Sequence, residues 1–457
     1  MIRTASRRID ASVAATSAAV LCTVVWMSWA TRTIAEKGSQ GVSDVVCVAL
    51  APVAAWFTWA RPLVFPYGLY VILTPLDVLM QIGGGHRGAT VARLLGMVAA
   101  IALGVYAVRT RSVRPPPRSI VWIGMLTGWM CLSTLWSPGA DPGTESLTLV
   151  MLVALYLVLA AFPMQRRDVV PLLGAILLSG VVAAAIGIYE MHTGGMQTAQ
   201  ELEDTHRLTV TFGQSSLDPN MYGDGLLMPV SVARLWFSRA KRRLHTLAAL
   251  AAMTILLLAL ALVGSRDATI GLAIVTVVTA TLLRSWKRVL LPVTALGAGA
   301  IALIPNVIVR ALADEGNGGS GRTSIWRVGI TAFVHHPFFG TGSGSYGAVY
   351  NQWYLKVYER YDLGWQMASH NIFIHYGVEL GIVGLVLVVG WCLSQWTLAR
   401  ALPKVGLIGD VRAVCLASLA GLGFAAFFID LFDVKFVWVL FALIAQMRTL
   451  ARSEARP

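Results

Sequence analysis

Apolar residues run along this chain in stretches of about 17 to 25, the length a helix needs to cross a bilayer core. About fourteen such stretches centre near Leu21, Leu50, Ile72, Met97, Met125, Val153, Leu178, Met228, Thr254, Val275, Leu296, Val383, Leu419 and Leu440. The Leu50 stretch is short and polar residues flank the Met228 stretch, so about twelve spans is the alternative count. The pattern predicts an all-α, polytopic integral membrane protein. Most connections are short, but residues 191–220 and 310–369 form two long ones. Connections of that length are uncommon unless functional or disordered. The second is rich in Trp, Tyr, Phe and Gly and is expected to be folded. The expected organisation is residues 1–190 as N-terminal transmembrane helices, followed by a unit over 191–457 that carries both long connections.

Composition agrees with this reading and charge orients it. Of 457 residues, 56% are hydrophobic and 13% charged, about half the charged share of an ordinary globular protein. Disorder, a coiled coil and a typical soluble enzyme are excluded. The net charge of +13 would suggest nucleic acid in a soluble protein, but here the basic residues fall in alternate connections. They are Arg3, Arg7 and Arg8; Arg109, Arg111, Arg114 and Arg118; Arg166 and Arg167; Arg239, Lys241, Arg242 and Arg243; Arg284, Lys287 and Arg288; Arg400, Lys404 and Arg412; and Arg448, Arg452 and Arg456. Basic connections mark the cytoplasmic side, which puts both termini there and both long connections outside. About 24 of the 36 Lys and Arg lie on that side, against about 4 acids. The basic balance therefore records orientation, and no nucleic-acid partner is implied. The first stretch reads as an uncleaved helix; cleavage after Ser28 and Ala30 is the other reading. Cys22, Cys47, Cys131, Cys392 and Cys415 lie in or beside apolar stretches and suggest packing. Pro115, Pro116 and Pro117 stiffen a basic cytoplasmic linker from Arg111 to Arg118.

On the outer face, basic residues are few and informative. Arg266 follows Ser265, a plausible N-cap, which puts it beside the free amides of a helix N-terminus and makes a candidate phosphate site. The other reading is an interfacial arginine reaching for water. In GRTSIWRVGITAFVHHPFFGTGSGSYG, Thr323 or Ser324 is expected to cap a helix with an apolar stripe of Trp326, Ile330, Phe333 and Val334. Arg322 then stands at that helix's N-terminus, suited to an anion, with Arg327 about one turn on; a solvated surface charge is the alternative for both. Arg310 reads as an interfacial anchor. GTGSGSYG has neither the Lys-Ser/Thr of a nucleotide loop nor a preceding strand, and reads as a tight turn after Pro337.

His370 and Asn371 mark the point where the second long connection re-enters the membrane. A histidine at the outer start of a helix is a candidate general base, with structural and metal readings beside it. His375 and Glu379 share a helix face and are expected to form a buried polar pair; a metal there would need further ligands from His335, His336 or His370. Intramembrane acids are costly, so Asp77, Asp224, Glu379 and Asp430 are candidates to partner buried arginines or to line a polar cavity. No DxD triplet occurs on the outer face, which argues against a sugar transferase using a divalent metal.

The spacing of His370-Asn371, Gly381 and Gly384 resembles the signature of O-antigen ligases. The text from Gly321 to Gly347, the DPN of Asp218 to Asn220 and the SRDA beginning at Ser265 are similar to the wider O-antigen ligase and polymerase superfamily. The resemblance implies a metal-independent, inverting glycan transfer on the outer face of a bacterial inner membrane, with no cofactor. The donor would be a glycan on undecaprenyl pyrophosphate; the acceptor would be a sugar hydroxyl on lipid A core or on another lipid-linked repeat. On this chain it implies that His370 deprotonates the acceptor and that Arg266 and Arg322 hold the pyrophosphate. Asn371, Asp218, Asn220 and Arg327 are weaker substrate-binding candidates. Such ligases are usually described with twelve spans, which leaves ligase and polymerase both open. The rival reading is a multi-pass secondary transporter, although such folds keep their polar site at mid-membrane and here most polar candidates cluster at the outer rim.

Overall fold

The computed structural model describes residues 39–79, 81–82, 89–193, 208, 211–212, 215–286, 322–358 and 367–455. The helices are α1 (Ser39–Ala60), α2 (Tyr67–Leu73), α3 (Val91–Arg109), α4 (Ile120–Ser133), α5 (Pro142–Ala161), α6 (Arg166–Thr193), α7 (Pro219–Gly225) and α8 (Leu227–Arg239). They continue as α9 (Arg243–Val263), α10 (Arg266–Leu282), α11 (Arg322–His335), α12 (Tyr346–Val357), α13 (Ile372–Arg400), α14 (Gly406–Ala425) and α15 (Lys435–Glu454). Two minimal antiparallel pairs, Gln81–Ile82 with Ala89–Thr90 and Thr211–Phe212 with Ser215–Ser216, are the strands among the described residues. The chain is an all-α polytopic membrane protein. Seven described helices are long and apolar enough to cross a membrane: α3, α5, α6, α9, α13, α14 and α15.

The remaining stretches fold in ways that their polar punctuation explains. The stretches near Leu21 and Leu296 lie outside the described residues, as do Cys22, Arg310 and the cleavage reading of the N-terminus. The Ile72 stretch divides into the short α2 and a 3-10 turn over Thr74–Leu79 that contains Pro75, where proline removes an amide from the helical ladder. The Met228 stretch divides at Leu226 into α7 and α8. Small residues decide how closely these pieces pack. A Cβ on Gly223 would lie 2.9 Å from that of Ala268, and one on Gly271 would lie 2.8 Å from Leu227. On the facing helix, a Cβ on Gly421 would come within 2.7 Å of Val275. Without a hydrophobic drive between helices in lipid, such close approach supplies the packing.

Interactions at the helix ends sort the connections into two sets. At one end Arg61 pairs with Asp168 (2.8 Å), Arg239 with Asp410, Arg166 with Glu454 (3.6 Å), and the Arg114 amide donates to the Ala161 carbonyl (2.9 Å). At the other, Lys435 meets Asp77, and the Ile372 amide donates to the Ala426 carbonyl (3.0 Å). The strongly basic connections described belong to the first set. Residues 322–358 belong to the second and have a core of their own: Ile325, Val328 and Ala332 of α11 pack with Tyr346, Tyr350, Trp353 and Tyr354 of α12.

Two expectations for α11 are corrected. The helix begins at Arg322, so Thr323 and Ser324 lie in its first turn and do not precede it. Its buried face is Ile325, Val328, Gly329 and Ala332, whereas Ile330 and Val334 are 53% and 64% exposed. Trp326 and Phe333 of the expected stripe are half-buried, and the small Gly329 is what lets α11 approach α12 and α13 so closely. Phe338 and Phe339, like Ile330 and Val334, are exposed.

Candidate functional site

The site is built on a break in α13. Gly381 takes φ +66° and interrupts the helix, which frees the carbonyls of the turn before it. The Val378 carbonyl accepts from the Thr341 amide (2.9 Å) and the Glu379 carbonyl from the Gly342 amide (2.7 Å), while the Ile382 amide donates to the Pro337 carbonyl (2.8 Å). The Leu380 carbonyl accepts from the Trp129 indole (3.1 Å). The segment GTGSGSYG thus docks into the break. Its further amides are engaged too: Ser343 donates to the Ser133 hydroxyl (3.0 Å), and Gly344 and Tyr346 donate to the two oxygens of the Glu379 carboxylate (3.0 and 2.8 Å). A loop whose amides point inward in this way cradles no phosphate; it is a tight turn, as its sequence predicts.

The turn that precedes α13 is fixed from three directions. The Ser369 hydroxyl donates to Asp430 (2.9 Å), and the Ser369 carbonyl accepts from the Trp326 indole (3.1 Å). Asn371 caps α13 by accepting from the Phe373 and Ile374 amides (2.9 and 3.1 Å), and its Nδ2 donates to the Phe427 carbonyl (3.0 Å). Between these anchors His370 adopts φ +48°, a left-handed conformation that non-glycine residues rarely take and that recurs at functional sites. Its side chain is half-buried. The Asn371 carboxamide is largely occupied in holding the turn.

Arg322, at the start of α11, packs on the connection between α14 and α15 that also holds Asn371. Its guanidinium carbon lies 5.9 Å from the Phe428 ring centroid, and Trp326 packs on Phe428 at 6.0 Å. Arg322 is also an opposing charge acting on Asp224, which feels Asp267 and Asp218 as well. Asp224 is fully buried, and neither carboxylate oxygen has a hydrogen-bond partner among the described residues. Ser265 caps α10 by accepting from the Ala268 amide (3.4 Å) and contacts Asp267, leaving Arg266 exposed in the first turn. Asp218 caps α7 by accepting from the Asn220 and Met221 amides (2.8 and 3.1 Å). The structure therefore gathers Arg322, Asp224, Asp267 and Asp218 into one corner, with Arg266 and Asn220 on its bordering helices. Arg327 is exposed, five residues beyond Arg322 and so about 140° around the helix.

Beneath the docked loop, His375 Nε2 lies 3.5 Å from Glu379 and 3.7 Å from Glu145. Tyr346 stacks over the imidazole (5.9 Å between centroids), and burial pushes its phenol pKa up, keeping it neutral. One ligand atom from each of Glu145, His375 and Glu379 lies within 4.8 Å of the others, so the three have the reach to hold a metal ion. Glu379, however, already accepts two amides of the docked loop, so both its oxygens are engaged. The expected His375–Glu379 pair is formed. Glu145 was missed: the one trace it leaves in sequence is an acid in the first turn of an apolar helix. Of the four acids expected to meet arginines or line a polar cavity, none forms an ion pair with an arginine among the described residues, and Asp224 feels the more distant charge of Arg322. Asp77 contacts Lys435 and Thr90, and Asp430 contacts Ser369.

Residues 251–389 match the family model described as O-antigen ligase. No curated protein matches the chain. The matched residues run from within α9 to within α13 and contain Arg266, Arg322, Arg327, His370, Asn371, the docked loop and the break at Gly381. Asp218, Asn220, Glu145 and Asp430 lie outside the matched residues. The match supports a glycan-transferring role of the ligase or polymerase type for this membrane protein.

Proposed function

We propose that this protein transfers a glycan from undecaprenyl pyrophosphate to a sugar hydroxyl at the outer face of a bacterial inner membrane. The observation that carries the reading is His370, held left-handed between the anchored Ser369 and Asn371, with Arg322 over Phe428, the neighbour of the Phe427 that anchors Asn371. In this mechanism a His370 ring nitrogen takes the proton from the acceptor hydroxyl. The freed oxygen forms a bond to the anomeric carbon as the bond from that carbon to the pyrophosphate oxygen breaks, so one displacement inverts the centre. Arg266 and Arg322 meet the charge that grows on the leaving pyrophosphate, so the step rests on positioning and fixed positive charge. Asn371 positions the base, Asp218 and Asn220 border the donor corner, and Arg327 contributes charge at its rim. The acceptor is lipid A core for a ligase and another lipid-linked repeat for a polymerase. In a deletion strain, accumulation of lipid-linked polymer beside unmodified core indicates a ligase, and single repeats retained on core indicate a polymerase.

The test separates chemistry from strain. His370→Gly suits the left-handed backbone, so it is expected to melt no lower than wild type while transfer of lipid-linked glycan falls by about 10²-fold or more. Transfer at wild-type rate in that variant would remove the general base. Arg322→Lys is expected to raise the KM for the lipid-linked donor more than the KM for the acceptor.

A further inference from the structure

We propose that the basic end of the bundle holds an anionic phospholipid, its phosphate among Arg114, Arg448 and Arg452 and an acyl chain along the groove between α1 and α3. Three guanidiniums from two separate elements converge on one cavity of about 100 Å³, walled by Pro115 and Pro117. Arg448 and Arg452 stand four residues apart on α15, a spacing at which like charges repel along a helix. Arg118 adds its positive charge to Arg448. Among the described residues no ion pair neutralises these four arginines, and the neighbouring Glu454 pairs with Arg166 instead. Convergent guanidiniums with no carboxylate between them match the oxygens of a phosphate.

The surroundings select a lipid over a soluble phosphate. The cavity shares Arg114, Thr449 and Ser453 with a second one of about 490 Å³, lined also by Tyr106, Met164 and Leu450. The hydroxyls of Thr449 and Ser453 already donate to helix carbonyls, so the arginines alone supply donors. Tyr106 in turn lines an apolar groove of about 470 Å³ with Trp59, Ile101 and Val105. Those three side chains are exposed, and Arg109 stacks over Trp59 at 3.8 Å at the groove's basic end. A free anion would need only the arginines. A charged pocket, a mixed cavity that shares its lining residues and an apolar groove that shares Tyr106 with that cavity fit a molecule with a phosphate at one end and a hydrocarbon chain at the other. Basic pockets between membrane helices bind anionic headgroups by this combination.

The experiment uses the full chain purified in detergent, with native mass spectrometry and thermal melting as readouts. The probes are dioleoylphosphatidylglycerol, dioleoylphosphatidylcholine and inorganic phosphate. Wild type is expected to retain phosphatidylglycerol about tenfold better than phosphatidylcholine and to melt higher in its presence, while inorganic phosphate leaves the melting temperature unchanged. R448Q/R452Q is expected to lose that preference; R242Q/R243Q, which removes equal charge at the same end but outside the pocket, is expected to keep it. Val105→Trp, which fills the groove, is expected to weaken phosphatidylglycerol without touching an arginine. Equal retention of the two lipids by wild type overturns the proposal with no variant needed. Loss of preference in R242Q/R243Q also overturns it, because general basicity would then be the cause. Stabilisation by inorganic phosphate that Val105→Trp leaves intact overturns the lipid in favour of a soluble anion.

Discussion

At the scale of single residues, two glycines explain a spacing that sequence presents only as a pattern. Gly381 sits at φ +66°, and a Cβ there would lie 2.2 Å from the Phe338 carbonyl oxygen; one on Gly384 would lie 2.1 Å from the Leu380 Cβ. The break lets the 337–342 backbone pair with α13, and glycine is the residue that permits such an approach. Gly381→Ala combines a left-handed strain of about 1–3 kcal/mol with a backbone overlap. A lower melting temperature and weaker transfer are expected, with His370 untouched; a melting temperature equal to wild type would show that the break does not need glycine. The spacing from His370-Asn371 to Gly381 and Gly384 was thus legible as a motif. Its cause was not, since Phe338 is distant in sequence and the pairing depends on where the chain returns.

At the scale of elements, the carboxylate of Glu379 ties the docked loop to α13. One oxygen accepts from Gly344 and the other from Tyr346. Glu379→Gln preserves shape but offers only one acceptor, so one buried amide loses its partner at a cost of about 1–3 kcal/mol. Faster amide exchange confined to residues 341–346, together with a lower melting temperature, is the expected result. Unchanged exchange there would mean that the carbonyls of α13 hold the loop alone. The sequence paired Glu379 with His375 by helical spacing, which needs only local periodicity. It had no means of adding Glu145, which meets them through tertiary packing. The misread stripe of α11 has a related origin: hydrophobic periodicity finds the most apolar face, whereas burial here follows where Gly329 lets the helix meet Ile374 and Tyr346.

At the scale of the whole molecule, the charge pattern and the chemistry depend on each other. The strongly basic connections described lie at one end of the bundle, and His370, Arg266 and Arg322 belong to the other. From the bias of Lys and Arg toward the cytoplasm we propose that the basic end faces inward and the candidate site outward. The gathering of the basic connections at one end was legible from sequence because they alternate along the chain, whereas the number of spans rests on segments such as Ile72 and Met228 that break at proline and glycine. The orientation is checked with single cysteines in a background lacking the native ones. Lys356→Cys lies on α12 near the candidate site, and Lys404→Cys lies in the connection between α13 and α14; both positions are exposed. In intact spheroplasts a membrane-impermeant maleimide is expected to label position 356 and not 404, and permeabilisation is expected to expose both. Labelling of 404 alone in intact spheroplasts would turn His370 toward the cytoplasm. The base would then sit on the wrong side of the membrane for an outward-facing lipid-linked donor, and the transfer reading would fail with the orientation.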